Sequence, residues 1–309
     1  MTGTRDHDGQ ATALHRDDMT VNVMAMNAFG VAAEAARRSG VVVRTLHELA
    51  DLQRVVVLFD DIWRPDTGSP LVNIEQLRAM THAGNYLAGA FDGDGRLIGA
   101  CVGFFAAPSG TGLHSHIAGV AADARRRHVG FALKLHQRAW ALERDLTEIT
   151  WTFDPLLSRN AYFNLCKLGA RPREYLVDFY GDINDSINAG QGSDRLLVAW
   201  TLGAAPGRPA DVGGPRMDVE ELRASGAVPA LTESAAGWPE CPPVSHWKDA
   251  DVVLVQVPAE IETLRQSDHG AARQWRLAVR DVLGTMLRDG GRVAGFSRSG
   301  FYVVERTAE

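Results

Sequence analysis

Apolar positions recur along the chain with two periods, and the switches between them outline its elements. VVVR at 41–44 reads as a short strand. Residues 46–62 place Leu49, Leu52, Val56 and Phe59 on one helical stripe, and a second helix covers 73–82 after a loop with Trp63, Pro65, Gly68 and Pro70. YLAGAFD (86–92) and RLIGACVGFFA (96–106), split by Gly93-Asp94-Gly95, predict a β-hairpin. A third strand fits 113–121. A helix follows over 130–145, with Ala132, Leu135, Ala139 and Leu142 sharing one face and Lys134, Gln137 and Arg138 sharing another.

EITWTF (148–153) alternates Ile149, Trp151 and Phe153 against Thr150 and Thr152, the signature of a half-buried strand. A helix runs from an N-cap at Ser158 to Gly169, with Ala161, Leu165 and Leu168 inward. Strands at 173–180 and 195–202 follow. Residues 204–250 hold seven of the 13 prolines and read as a Pro/Gly-rich linker with one short helix at 217–225. Beyond it lie a strand (252–258), a long helix (259–289, with Trp275, Val279, Val282 and Met286 as a core stripe) and two strands (292–297, 301–306). Residues 1–40 read as a largely flexible N-terminal segment, loosest up to Asp18.

Composition narrows the function classes. The 309 residues are 45% apolar and 23% charged with net charge −6, ordinary for a globular protein and opposed to nucleic-acid binding by bulk attraction. Cys101, Cys166 and Cys241 form no CxxC pair, which fits a reducing cytoplasm better than a disulfide framework. The polar start lacks a signal-peptide core and no long apolar run spans a membrane, so the expectation is a cytoplasmic protein with no membrane partner.

The candidate chemistry sits at one strand-to-helix turn, AGVAADARRRHVGFALKLHQRAW (118–140). Amides at a helix start have no internal partner and the dipole is positive there, which suits a phosphate or pyrophosphate. Arg125, Arg126 and Arg127 can add charge-assisted bonds, or they simply decorate an exposed turn. Without a P-loop or GxGxxG, nucleotide hydrolysis and dinucleotide binding lose their main signature.

The order strand, arginine turn, helix, strand, helix ending in Lys-Leu-Gly-Ala, then two strands, resembles the GNAT superfamily of acyl-CoA-dependent N-acyltransferases over roughly 41–203. The wording LHSHIAGV, ALKLHQRAWAL, ITWTFDPLLSRNAYFNLCKLGA and GSDRLLVAW is similar to one subgroup of predicted bacterial and archaeal members. The resemblance implies an α/β fold, a mixed and mostly antiparallel sheet with splayed central parallel strands flanked by helices. It implies a transferase domain at 41–203, followed by the linker and a C-terminal α/β extension at 251–309. The family's Gln/Arg-x-x-Gly-x-Gly/Ala motif fits in two registers. Arg127-x-x-Gly130-x-Ala132 is literal; Arg125-x-x-His128-x-Gly130 agrees better with the following VGFALK and puts His128 where the family has glycine.

By that resemblance the loop of Arg125, Arg126, Arg127, His128, Val129, Gly130 and Phe131 holds the pyrophosphate of acetyl-CoA or another acyl-CoA. Ala118, Gly119 and Val120 pair with the pantetheine arm, with an oxyanion donor near Val120, and Asn160 either contacts coenzyme A or caps its helix. The usual thiolate acid position holds Leu165, which leaves Tyr162 one turn earlier, while Cys166 reads as core. His114 and His116 share a strand face and are candidate bases. Asp154 holds an amine, orients a histidine or forms a turn before Pro155. Asp194 and Arg195 read as an ion pair or loop anchor, and Asp60, Asp61 and Trp63 lie where the acceptor loop belongs. No metal site is expected.

Three functions compete: N-acyl transfer to a small amine or amino-acid-like metabolite, another acyl-CoA reaction such as decarboxylation or hydrolysis, and a non-catalytic acyl-CoA- or partner-binding module. The C-terminal unit could extend the sheet, cover the acceptor site or make a homodimer.

Overall fold

A computed structural model describes residues 24–65, 70–108, 110–181, 192–202 and 217–306. In chain order they form α1 (residues 24–38), β1 (Val42–Thr45), α2 (Leu49–Trp63), α3 (Ile74–His82), β2 (Tyr86–Phe91), β3 (Leu97–Phe105), β4 (Gly112–Val120), α4 (Val129–Leu142) and β5 (Glu148–Phe153). Then follow α5 (Ser158–Ala161) running into a π-helical stretch (Tyr162–Lys167), β6 (Arg171–Leu176), β7 (Arg195–Thr201), α6 (Val219–Ala224), β8 (Val228–Glu233) and β9 (Pro239–Glu240). The chain closes with β10 (Val252–Gln256), α7 (Ile261–Ser267), α8 (His269–Val279), a π-helical turn, α9 (Thr285–Arg288), β11 (Arg292–Phe296) and β12 (Phe301–Glu305). The fold is mixed α/β, with a seven-stranded sheet ordered β1-β2-β3-β4-β5-β7-β6 and a five-stranded sheet ordered β11-β12-β10-β8-β9. Two compact units divide within β5, Met1–Trp63 with Pro70–Ile149 and Arg64–Ser69 with Thr150–Glu309.

In the first unit β1 to β4 form an antiparallel meander. Ala100 and Val102 of β3 join Leu52, Val55, Phe59 and Leu77, so α2 and α3 cover one sheet face. The other face of β3 meets α4, where Gly99 leaves room for Leu133 and Val129. Asn73 caps α3, its side-chain oxygen accepting from the amides of Glu75 and Gln76. The α2 stripe is shifted from the expected one: Leu52, Val55, Leu58 and Phe59 are buried, whereas Leu49 is 52% exposed. The expectation of a flexible start through residue 40 fails from residue 24 onward; positions 1–23 lie outside the described residues. Ala25, Ala28, Ala32 and Ala36 form a buried small-residue stripe on α1, and Phe29 meets the His136 ring of α4 edge-on.

In the second unit the expected linker is largely structured. Residues 203–216 lie outside the described residues, but α6, β8 and β9 follow directly, and β8 pairs in parallel with β10. Val219, Ala227, Leu254, Phe301 and Val303 form the core of this sheet. The expected helix at 259–289 breaks at Asp268, which takes non-helical angles and accepts from the Ala271 amide as the N-cap of α8. Its stripe is as read: Trp275, Val279, Val282 and Met286 are all buried, and the Trp275 indole donates to the Gly237 carbonyl at 3.0 Å. The division at β5 differs from the boundary expected after 203, because β6 and β7 pack with the C-terminal helices: Gly284 sits against the Tyr175 ring. Trp275→Ala is expected to cost about 3–5 kcal/mol through the cavity it leaves, read as a lower urea midpoint at unchanged slope.

Candidate active site

The geometry of the first unit turns on an irregularity in β4. Val102 pairs with Ile117 and Gly103 with Ser115, so β4 spends one residue more than β3, and that residue is His116. Such a bulge bends a strand and re-aims its side chains. The His114 and His116 rings stand 6.5 Å apart, and the Phe104 ring lies 5.1 and 5.8 Å from them. Between them Ser115 is buried and accepts a hydrogen bond from the Lys134 ammonium at 2.7 Å. Lys134 also donates to Gln137 Oε1 at 3.1 Å, and Gln137 Nε2 donates to Cys101 Sγ at 3.3 Å.

This corrects the helical reading of α4. Lys134, Gln137 and Arg138, the polar stripe of an amphipathic helix, are 5%, 0% and 6% exposed. Burial pushes the Lys134 amine down to about 8, and burial is also the first cause that lowers His114 to about 4, followed by the charges of His116 and Lys134. Burial lowers His116 as well.

At the start of α4, His128 is the N-cap residue at φ 62°, ψ 15°, and Arg126 takes φ 68°. Both are left-handed, a conformation that costs a non-glycine residue about 1–2 kcal/mol. The amides of Arg126, Arg127 and His128 meet no backbone acceptor among the described residues, and the first amides of α4 point out of the helix end. Arg125, Arg126 and Arg127 are all exposed, and Arg127 also reaches back to the Ser39 carbonyl at 3.5 Å, past the end of α1. A side chain built on Gly130 would meet only Val120, at 3.8 Å, while Val129 beside it is core. Phe131 is half-buried. Ala118 is exposed and Val120 half-buried, but Gly119 lies under α2, where a Cβ would come within 2.8 Å of Ile62 and Trp63. Trp63 thus packs on β4 and edge-on against Phe59, and Asp60 accepts from the Leu71 amide while Asp61 stays exposed.

In the second unit Asp154 has partners that the sequence did not reveal. It is 6% exposed, receives two hydrogen bonds of 2.7 Å from Arg276 and one of 2.5 Å from Arg265, and accepts from the Leu156 amide at 2.9 Å. Burial alone would raise its pKa; the Arg276 and then the Arg265 charge overcome that and hold it far below the usual carboxylate range. Asp154 is therefore a charged anchor and turn-former, not a free group for an amine or a histidine. Of the two readings of Asp194 and Arg195, an ion pair or a loop anchor, the contacts are those of an anchor: Asp194 binds Arg280 at 2.6 and 3.0 Å, the Tyr175 hydroxyl at 2.8 Å and the Asp178 amide at 3.1 Å, and Arg195 donates to the Asp194 backbone carbonyl.

Leu157, not Ser158, is the N-cap of α5, no side chain caps it, and Asn160 lies half-buried on its first turn. Leu165 is core, and the Cys166 thiol donates to the Phe296 carbonyl at 2.9 Å. Tyr162 is half-buried, and its phenol oxygen accepts from Arg298 Nε at 3.0 Å. Among the described residues no three histidine, cysteine or acidic groups gather to hold a metal ion, and no helix is long and apolar enough to cross a membrane.

Asp154→Asn is expected to destabilise the protein by about 3–5 kcal/mol in urea unfolding, since it removes the buried charge to which two buried guanidinium groups are bound. Lost turnover at unchanged stability would instead return Asp154 to the acceptor site. His128→Gly is expected to raise stability by about 1 kcal/mol or less, the relieved strain being offset by a freer unfolded chain; a lower melting temperature would contradict the left-handed cap.

No family model and no curated protein matches the chain. Solved structures do. Ribosomal-protein-S5-alanine acetyltransferase from Vibrio fischeri is 14% identical, with a TM-score of 0.43 over 53% of this chain and 93% of its own. NAA60 of Arabidopsis thaliana, solved with a bisubstrate analogue, is 19% identical, with a TM-score of 0.41 over 52% of this chain and 97% of its own. An aminoglycoside 6'-N-acetyltransferase solved with coenzyme A is 15% identical, with a TM-score of 0.40 over 53% and 99%.

Proposed function

We propose that the protein is an acyl-CoA-dependent N-acyltransferase, with acetyl-CoA as donor and a small amine or amino-acid-like metabolite as acceptor. The observation that carries this reading is the start of α4, where the amides of Arg126, Arg127 and His128, which meet no backbone acceptor among the described residues, share one helix end with the exposed side chains of Arg125 and Arg126. A diphosphate is the anion such an end suits, through backbone donors, side-chain charge and helix dipole together. Phe131, Val129 and the open side of Gly130 complete that loop, Ala118, Gly119 and Val120 supply the strand for the pantetheine arm, and Asn160 is a further contact.

In the proposed reaction the amine nitrogen attacks the thioester carbonyl, a base takes its proton, and the thiolate leaves. His116, exposed on the bulge, fits the base better than His114, whose low pKa makes it a poor proton holder. Tyr162 is the proposed acid for the thiolate: its oxygen accepts from Arg298, so its own proton is left to donate elsewhere. The buried Leu165 favours one alternative, a thioester reaction whose thiolate leaves unprotonated.

The test is calorimetric titration with coenzyme A and acetyl-CoA, on wild type and Gly130→Trp. The expected outcome is micromolar binding that the variant loses without a lower melting temperature, since the indole projects over the helix end and not into the core. An amine panel then decides the reaction. Turnover without an amine supports decarboxylation or hydrolysis, and binding without turnover, unchanged in His114→Ala and His116→Ala, supports a binding module.

A further inference from the structure

Three arginines of the second unit, Arg265, Arg276 and Arg280, each bind a carboxylate, that of Asp154 or Asp194. Arg195 differs. It is half-buried at the start of β7 and has no carboxylate partner among the described residues. Its Nη1 donates to the Asp194 backbone carbonyl at 2.8 Å, which occupies one N–H group and leaves the rest of the guanidinium fork. Beside it lies a ring, with Arg195 Cζ 5.2 Å from the centroid of Tyr180.

We propose that Arg195, with Thr152 and Tyr180, forms a binding site for the carboxylate of a small molecule whose apolar body lies against Tyr180 and Phe179. The site is built from the second unit alone and goes beyond the transferase reading, although an amino-acid-like acceptor belongs to the class of ligand it takes.

The local structure brings these groups together. β7 is the neighbour of β5 in the sheet, and Thr152 lies on the face of β5 opposite the buried Trp151 and Phe153. The Thr152 and Tyr180 hydroxyls are 3.1 Å apart. Two hydroxyls that share one hydrogen bond use one proton, so the pair keeps another for an acceptor. Tyr180 belongs to the turn after β6, and that turn is tied to the residues just before Arg195. The Asp178 amide donates to the Asp194 carboxylate at 3.1 Å, the Tyr180 amide to Ser193 Oγ at 2.9 Å, and the Ser193 amide to Asp178 Oδ1 at 3.3 Å. These bonds set ring and guanidinium side by side. The Asp178 charge is answered by Arg280 at 3.1 Å.

Chemistry then selects the ligand. A guanidinium partly withdrawn from water, offset only by a backbone carbonyl, favours an anion. Its planar fork matches a carboxylate, two N–H groups to two oxygens. The spare hydroxyl proton suits one of the same oxygens. The surroundings favour an organic anion over an inorganic one. Phe179 and Tyr180 are 48% and 44% exposed and meet edge-on at 4.7 Å, a surface that a bare ion leaves wet and an apolar body covers.

The test is an NMR titration of the full chain with phenylacetate and with phenylacetamide, which has the same ring and no charge. The Arg195 Nε–H signal is identified by its loss in Arg195→Lys, the backbone amide of residue 180 reports affinity in every variant, and melting temperatures report the fold. In wild type, phenylacetate shifts the Arg195 signal and phenylacetamide does not. Arg195→Gln weakens phenylacetate binding about tenfold or more, as the loss of a charge-assisted pair requires. Arg195→Lys, a point charge without the fork, weakens it less. Tyr180→Phe, which keeps the ring and removes the hydroxyl, weakens it about threefold. Equal responses to the two probes overturn the proposal, as does a wild type whose Arg195 signal phenylacetate leaves in place. A guanidinium that only anchors the Asp194 carbonyl lowers the melting temperature in Arg195→Gln and leaves phenylacetate affinity unchanged, which also overturns it. Should Arg195→Gln not fold, the two probes on wild type decide. Neither coenzyme A nor an amine is needed, so a failed coenzyme A titration sinks the transferase reading and leaves this result standing, and the reverse holds for phenylacetate.

Discussion

One surplus residue in β4 governs the first unit. Strands alternate, so a ladder without interruption would put His114 and His116 on one face and keep both paired to β3. The bulge keeps them on one side of Ser115 but frees His116 from its partner, so that it is exposed while His114 is half-buried. Two chemically identical side chains thereby come to lie in different surroundings. A bulge is costly unless its neighbours are held, and the network from Ser115 through Lys134 and Gln137 to Cys101 is what holds this one.

The second unit uses buried charge differently. Asp154 ends β5, Arg265 and Arg276 lie on α7 and α8, and the three meet in the core over separations of 111 and 122 residues. Asp194 and Arg280 repeat the device between β7 and the π-helical turn after α8. Ion pairs of this kind contribute little net stability relative to apolar packing, but they penalise every arrangement that leaves one member alone. They select one docking of α7 and α8 on the end of β5, which explains why β6, β7 and the C-terminal helices form one compact unit although they are distant in sequence.

Elements whose two sides face different media were legible from the chain. EITWTF buries Ile149, Trp151 and Phe153 as its alternation requires, Gly93-Asp94-Gly95 forms its hairpin, and the Trp275 stripe is core. The polar stripe of α4 was not legible, because periodicity reports polarity and not the partners that satisfy it, here Ser115 and Gln137, which accept hydrogen bonds from the buried Lys134. Asp154 escaped for the same reason, its partners being more than a hundred residues away. The proline-rich stretch misled because Pro and Gly density outweighed the short run VPALTE, a parallel strand that tolerates Pro229 next to a shift in register. The break in the long helix did leave a signal in Ser-Asp-His-Gly at 267–270, an N-cap sequence inside an apparently continuous stripe.

The three arginines that first draw the eye divide their work. Arg127 is turned toward the Ser39 carbonyl, where a cation also meets the negative end of α1. Arg126 and His128 adopt left-handed angles that glycine would take without strain. A chain that needed only a stable turn here has a cheaper solution, since two non-glycine residues in this conformation cost about 2–4 kcal/mol between them. What the side chains add is charge and bulk at a helix end where the amides of Arg126, Arg127 and His128 meet no backbone acceptor among the described residues. Strain of this kind persists where surrounding structure over-determines it, and here Val129 in the core and Arg127 on Ser39 hold the turn on both sides.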